Sequence, residues 1–266
     1  MILLAEVIQL DWWDLCLSAG MVLVVGVLSL LLRLGIEKRL AVASVRTVVQ
    51  LLLIGYVLMW VFRHHWSIAP LAVVMVLVAG YDAVKRSGRA FAGMYWLALL
   101  SLIASAFLTT IFVTGVIVSA RPWYLPQYFV PLLGMVLGNS MTGISLCMDH
   151  LLEHLAARRA EVEVELALGA TRWEAARQPL QQAVRRGLIP LINRMMVTGI
   201  VSLPGMMSGQ ILSGEDPNNA VRYQVMVMFM IAAATALGSI SVALLVCRRL
   251  FNRRHQLRAD LLTKRT

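Results

Sequence analysis

Charge is scarce in this chain: Lys, Arg, Asp and Glu make up only 14% of its 266 residues, where a water-soluble domain carries roughly 25%. Too few charges remain to coat a water-exposed surface, which excludes an ordinary soluble domain. Cysteine is scarce too. Cys16, Cys147 and Cys247 form neither a C-x-x-C pair nor a zinc-like spacing, so a disulfide framework and a structural zinc knot are excluded. There is no G-x-x-x-x-G-K-[ST] phosphate loop, so a nucleotide-driven step needs a second polypeptide. No basic region precedes the first apolar run. Glu6, Asp11 and Asp14 stand there instead, so the run reads as a retained span and not as a signal peptide. All 14 acidic residues fall in loops or at the ends of apolar runs. A proton- or sodium-coupled carrier would therefore lack its usual intramembrane carboxylate.

What the chain has is apolar length. Hydrophobic residues reach 59% and the mean hydropathy is +0.76. The apolar residues gather in runs near the length that crosses about 30 Å of hydrocarbon as a helix. The reading is an all-α, polytopic integral membrane protein of about seven transmembrane helices. The spans are placed at Leu15–Leu32, Ala41–Phe62, Ile68–Val84, Phe91–Val118, Phe129–Cys147, Leu188–Leu212 and Gln224–Cys247. The whole chain, 1–266, forms one transmembrane domain with a polar cytoplasmic segment at about 148–187. With the N-terminus outside, nineteen Lys and Arg residues fall on the inner side, and only Arg63, Arg121 and Arg222 fall outside. That asymmetry predicts a cytoplasmic C-terminus and insertion in the inner (plasma) membrane. It also accounts for the net charge of +10 through the lipid bilayer rather than through nucleic acid. Trp12, Trp13, Trp60, Trp66, Trp123 and Tyr124 fall at the expected outer interface, where amphipathic rings settle.

In the cytoplasmic segment, Glu161, Glu165 and Leu168 recur at helical spacing. Gly169 suits a left-handed helix stop. Thr171, with Glu174 three positions on, spells a capping box for the next helix. The segment therefore reads as helix, glycine break, helix. Just before it, His150, Glu153 and His154 spell H-x-x-E-H, the signature of one class of zinc metalloprotease. On a helix the two histidines share a face, but a catalytic zinc needs a third protein ligand. The commoner reading is a solvated helix face.

Polar and helix-breaking residues mark two spans. Pro204, Met206, Met207 and Gln210 stand where Pro204 interrupts a span. A broken helix at membrane depth occurs where backbone is buried in protein or lines a watery cavity, so these four are pathway candidates. The alternative is a kinked packing helix, with Gly205 and Gly209 as a G-x-x-x-G contact. Asn139 follows a second such pair, Gly134 and Gly138. It needs a partner at that depth, as an interhelical hydrogen bond or as a pathway ligand. Gln50 lies four residues from Arg46 on one helix face, Met226 and Met230 share another, and Gln50, Met226 and Met230 are further pathway candidates. Thioethers bind soft metals, but methionine more often packs, and no set of metal ligands is assigned.

These blocks carry a family resemblance. The Glu-rich helix and Leu168-Gly-Ala-Thr171, with Glu163 and Gly169 at E-x-x-x-x-x-G spacing, resemble the coupling segment of ABC permeases. Ser202-Leu-Pro-Gly-Met-Met-Ser-Gly-Gln210, Asp216-Pro217 and Tyr223-Gln-Val-Met-Val-Met-Phe-Met230 resemble the Fet-type iron-export ABC permease family. So do Arg46, Gln50 and Gly55-Tyr-Val-Leu58, Gly134-Met-x-x-Gly-Asn139, and Arg254-His-Gln-Leu257. The resemblance implies a permease subunit that exports iron, not an enzyme. It implies a homodimeric core and a separate cytoplasmic ATPase that uses the ATP, with no cofactor held by this chain. Glu163, Glu165, Leu168, Gly169, Ala170, Thr171 and Arg172 would couple to that ATPase. Alternating access would then rearrange the spans around Pro204. A permease for another metal or solute, and a metalloprotease built on His150, Glu153 and His154, are the alternatives.

Overall fold

A computed structural model of the chain describes residues 11–252, 256–258, 261 and 263–264. Glu6, Arg253, Arg254, His255, Asp260 and Arg265, all used in the sequence reading, lie outside the described residues. The fold is all-α. Among the described residues six helices are long and apolar enough to cross a membrane. They are α1 (Trp12–Leu31), α2 (Glu37–Arg63), α3 (Ile68–Lys85), α4 (Met94–Phe112, continued by a π-helical turn at Val113–Ile117), α5 (Pro126–Ala157) and α10 (Pro217–Leu250). Shorter or more polar helices lie between the last two: α6 (Arg159–Ala167), α7 (Arg172–Ala175), α8 (Arg177–Val197) and α9 (Gly205–Leu212).

Local sequence sets many of these ends. Asp11 and Asp14 close a capping box that starts α1, satisfying amides that have no helical partner. Pro126 and Pro217 stand in the first turns of α5 and α10, where a missing N–H costs nothing. Asp216 accepts the Asn219 amide at 3.2 Å to cap α10.

One expected span is not a single helix. The stretch Leu188–Leu212 is split between the end of α8 and the whole of α9. Gly199 turns the chain at φ +89°, and a short bridge joins Thr198 to Ser202. Pro204, extended at ψ 144°, caps α9. Proline has no N–H for the helical ladder and pushes the residue before it out of the helical region. The polar segment at 148–187 is largely helical, since α5 continues past Cys147 to Ala157 and α8 already begins at Arg177.

α5 and α10 form the centre, and α3, α4 and α8 pack around them. At 32 and 34 residues each spans about 50 Å at 1.5 Å per residue, well beyond the hydrocarbon thickness. α5, α8 and α10 approach most closely at glycine. A Cβ on Gly143 would stand 2.4 Å from Thr235 Cγ2, and one on Gly187 would stand 2.7 Å from the Gly143 carbonyl. The two G-x-x-x-G pairs do not mark this contact. Among the described residues nothing lies within 4 Å of a Cβ at Gly138, Gly205 or Gly209, and at Gly134 the Met75 methyl stands at 3.2 Å. α1 and α2 pack on each other at the edge, and only Ser29 and Val61 of the two are buried.

Arg-rich segments from distant parts of the chain meet at one end of the bundle. Asp149 of α5 accepts the Gly88 amide at 2.8 Å, and Glu153 pairs with Arg89 at 3.0 Å. Strand β1 (Arg89–Ala90) pairs antiparallel with β2 (Thr263–Lys264) of the tail. The α3–α4 connection, the end of α5 and the tail are thereby bound together.

Candidate functional site

The break between α8 and α9 opens on a cavity of about 260 Å³. Pro204, Gly205 and Met206 form one wall, and Met135 and Asn139 of α5 form another. Gln224, Val227, Met228 and Ile231 of α10 close the third. Asn139 donates to the Met135 carbonyl at 2.8 Å, so its amide is oriented with Oδ1 outward. Arg194 of α8, also lining the cavity, donates from Nη1 to that Oδ1 at 2.8 Å. Gln224 is 6% exposed, and its Oε1 has no hydrogen-bond partner among the described residues. A buried carbonyl oxygen left unpaired is costly and stands ready for a donor or a cation.

Of the sequence-derived pathway residues, Asn139, Pro204 and Met206 line this cavity. Met207 and Gln210 lie beside it on α9, half-buried. Met230 is turned into the core, and Met226 packs against it. Gln50 is exposed on α2, away from the cavity. Arg194, Gln224, Met135 and Met228 complete the walls, and sequence reasoning places none of them there. Arg194 reads from sequence as a residue near an inner span end. The signal that would have exposed it is a lone charge three residues ahead of a helix break.

A second feature stands at the Arg-rich end. All seven sequence-derived coupling residues fall in one helix–turn–helix. Gly169 is left-handed at φ +96°. The Gly169 amide donates to the Leu166 carbonyl, and the Ala170 amide to the Glu165 carbonyl, each at 3.1 Å. That pair of bonds is a Schellman stop. Thr171 and Glu174 then close the capping box that begins α7. Glu163 is held by Arg159, four residues back, at 2.6 Å. At the tip, Leu168 is 83% exposed and Val164 58%. The base of the segment is anchored. Trp173 packs against the core, the Arg172 guanidinium lies 5.3 Å from its ring centre, and Arg248 at the end of α10 lies 6.0 Å from it. The segment leads into α8 through Ala176.

Among the described residues the H-x-x-E-H motif has no third ligand for a zinc centre. His150 and His154 are half-buried on one face with ring centres 6.1 Å apart. Glu153 points away, 64% exposed and paired with Arg89. Among the described residues no three His, Cys, Asp or Glu side chains come close enough to hold a metal ion. Glu153→Gln is expected to shift stability by less than about 1 kcal/mol, as for any exposed ion pair. Thermal unfolding in detergent checks this. A larger loss would give Glu153 a role beyond that pair.

The comparisons with known proteins agree on one family. The model of an "Uncharacterised protein family (UPF0014)" matches residues 12–251. The UPF0014 membrane protein slr1647 of Synechocystis is 37% identical over 94% of this chain and 97% of its own length. The UPF0014 membrane protein YjkA of Bacillus subtilis is 34% identical over 94% of this chain and 100% of its own. The "Probable iron export permease protein FetB" of Escherichia coli is 32% identical over 95% of this chain and 96% of its own. No solved structure matches the chain.

Proposed function

Because the chain belongs to the UPF0014 family of multi-pass membrane proteins, we propose that it is the permease subunit of an ATP-driven exporter of a metal cation, iron first among them, in the inner membrane. The ATPase is a separate cytoplasmic subunit. The observation that carries this reading is the continuity of α8. It starts at the capped turn of the coupling segment and ends at the cavity. Its 21 residues make a rod about 30 Å long.

The coupling segment has the properties of a docking knob. A leucine exposed on a water-facing tip gains by being covered, and the two caps hold that tip in one conformation. A partner that closes on Leu168 and pushes the segment moves α7 and, with it, α8. The cavity end of α8 then moves against α5 and α10. The chain between Val197 and Gly205 is already non-helical, so its backbone absorbs the displacement without breaking helical bonds.

The cavity offers amide oxygens, thioethers and the polar backbone of a broken helix. Such a mixed, uncharged donor set suits transient binding of a divalent cation, since a cargo that must leave is best held without carboxylates. The relative named as an iron export permease supports iron as that cation.

The test is ATPase activity of this chain reconstituted with its ATPase in liposomes, titrated with ferrous iron, zinc, copper and manganese. Saturable stimulation by iron above the others is the expected result. If the ATPase does not bind the chain, or no metal changes its rate, the proposal fails.

A further inference from the structure

We infer that Arg194 is the resident cation of the transport cavity, a guanidinium plug that must leave Asn139 before a metal ion can occupy the site. This rests on the reading of the chain as a metal-cation permease and specifies how its cavity is kept shut.

Arg194 is the one ionised side chain among the cavity-lining residues described, and it stands beside Asn139, midway along α5. The Arg194 side chain is exposed along α8, and a charge on a membrane-embedded segment needs a task and a partner. Its partner is not a carboxylate. It is the amide oxygen of Asn139 at 2.8 Å, the same kind of oxygen a hard or borderline metal ion would take. The other amide oxygen on the wall, that of Gln224, is buried and unpaired. The cavity wall thus carries two amide acceptors, one filled by the protein's own cation and one buried without a partner among the described residues. While Arg194 stays, an entering divalent ion loses a ligand and meets a like charge at close range.

The plug is also attached to a lever. Arg194 sits three residues before the end of α8. Its contact with α5 is a neutral amide rather than an ion pair, so it can be released without separating opposite charges. A shift of the coupling segment carried along α8 would draw the guanidinium off Oδ1 and free the Asn139 oxygen. Thr198 hydrogen-bonds back to the Arg194 carbonyl at 2.7 Å, so the residues at the break move with it.

Two measurements test this in the full chain. First, passive metal flux is followed in liposomes holding the permease–ATPase complex without ATP, with ferrous iron and manganese as probes. Arg194→Ala and the closer-sized Arg194→Met are expected to raise passive flux about tenfold or more, the factor that corresponds to about 1.4 kcal/mol. Arg194→Lys keeps the seal. Second, manganese binding to the purified permease alone is measured by calorimetry. Arg194→Met is expected to bind more tightly than the natural chain. Asn139→Asp, which places a carboxylate under the guanidinium, is expected to bind no more tightly and to slow driven flux.

Unchanged passive flux together with unchanged manganese binding in Arg194→Met overturns the plug. Loss of driven flux with no leak also overturns it, because Arg194 would then be holding an anionic cargo. If the natural complex moves no metal but Arg194→Met still binds manganese more tightly than the natural chain, the plug stands and the export reading falls.

Discussion

Gly143→Ala is expected to cost several times more stability than any glycine-to-alanine change in the two G-x-x-x-G pairs. The added methyl would stand 2.4 Å from Thr235 Cγ2 and 3.1 Å from the Gly187 carbonyl. Three helices would have to part to admit it. Thr235 is buried and β-branched, so its methyl cannot swing aside freely. The Gly187 carbonyl is backbone, so it yields only if α8 shifts. Overpacking of this kind costs about 1–3 kcal/mol and at times more. Gly187→Ala belongs to the same crossing and should behave alike. Gly138→Ala and Gly209→Ala are the controls. Their new methyl groups meet nothing within 4 Å, and alanine is the better helix former by about 1 kcal/mol, so both are expected to be neutral or mildly stabilising. Thermal unfolding in detergent, with size-exclusion profiles, reads the contrast. A Gly143→Ala protein as stable as Gly138→Ala would mean that the three-helix crossing is not as close as described here.

The second large effect is on coupling and not on folding. Gly169→Val is expected to lower ATPase-driven flux at least about tenfold while leaving the melting temperature of the bundle nearly unchanged. The position is left-handed at φ +96°. A left-handed conformation costs an L-residue roughly 1–2 kcal/mol, and a β-branched one suffers most. The Schellman bonds of Gly169 and Ala170 would be lost, and α6 would run on or fray. Leu168 would then no longer stand at the tip in one orientation. The bundle is spared because the segment lies at its end, with Gly169 itself exposed and no atom within 4 Å of its added Cβ. Thr171→Ala, which removes the cap of α7, should produce a smaller loss of the same kind, near the 1 kcal/mol of a helix cap. Leu168→Ala separates anchor from geometry: it should weaken ATPase binding without altering the turn. Full driven flux in Gly169→Val would sink the coupling role of this segment.

Much of the local structure was legible in the chain itself. The Gly169 stop and the Thr171–Glu174 box are written in neighbouring residues, since each bond joins groups at most five positions apart. The break at Pro204 was legible for the same reason. The reach of the helices was less so. α5 runs ten residues beyond Cys147 because helical hydrogen bonding does not stop where hydropathy does. The glycine pairs do not mark the α5–α8–α10 crossing, because spacing shows which residues share a helix face and not which face meets a neighbour within the chain.

The sequence alone determined that this is a membrane protein, and it placed the stop at Gly169, the cap at Thr171 and the break at Pro204. Those outcomes depend on the hydropathy of continuous runs and on bonds within one turn of helix. Only the tertiary structure decided which polar groups meet. Arg194 and Asn139 are 55 positions apart, and Gln224 comes from a third helix. Each is an ordinary polar residue until packing at Gly143 and Gly187 brings α5, α8 and α10 close enough to put all three on the walls of one cavity. Close approach depends on the absence of side chains on both sides of a contact, and no single stretch of sequence carries both sides.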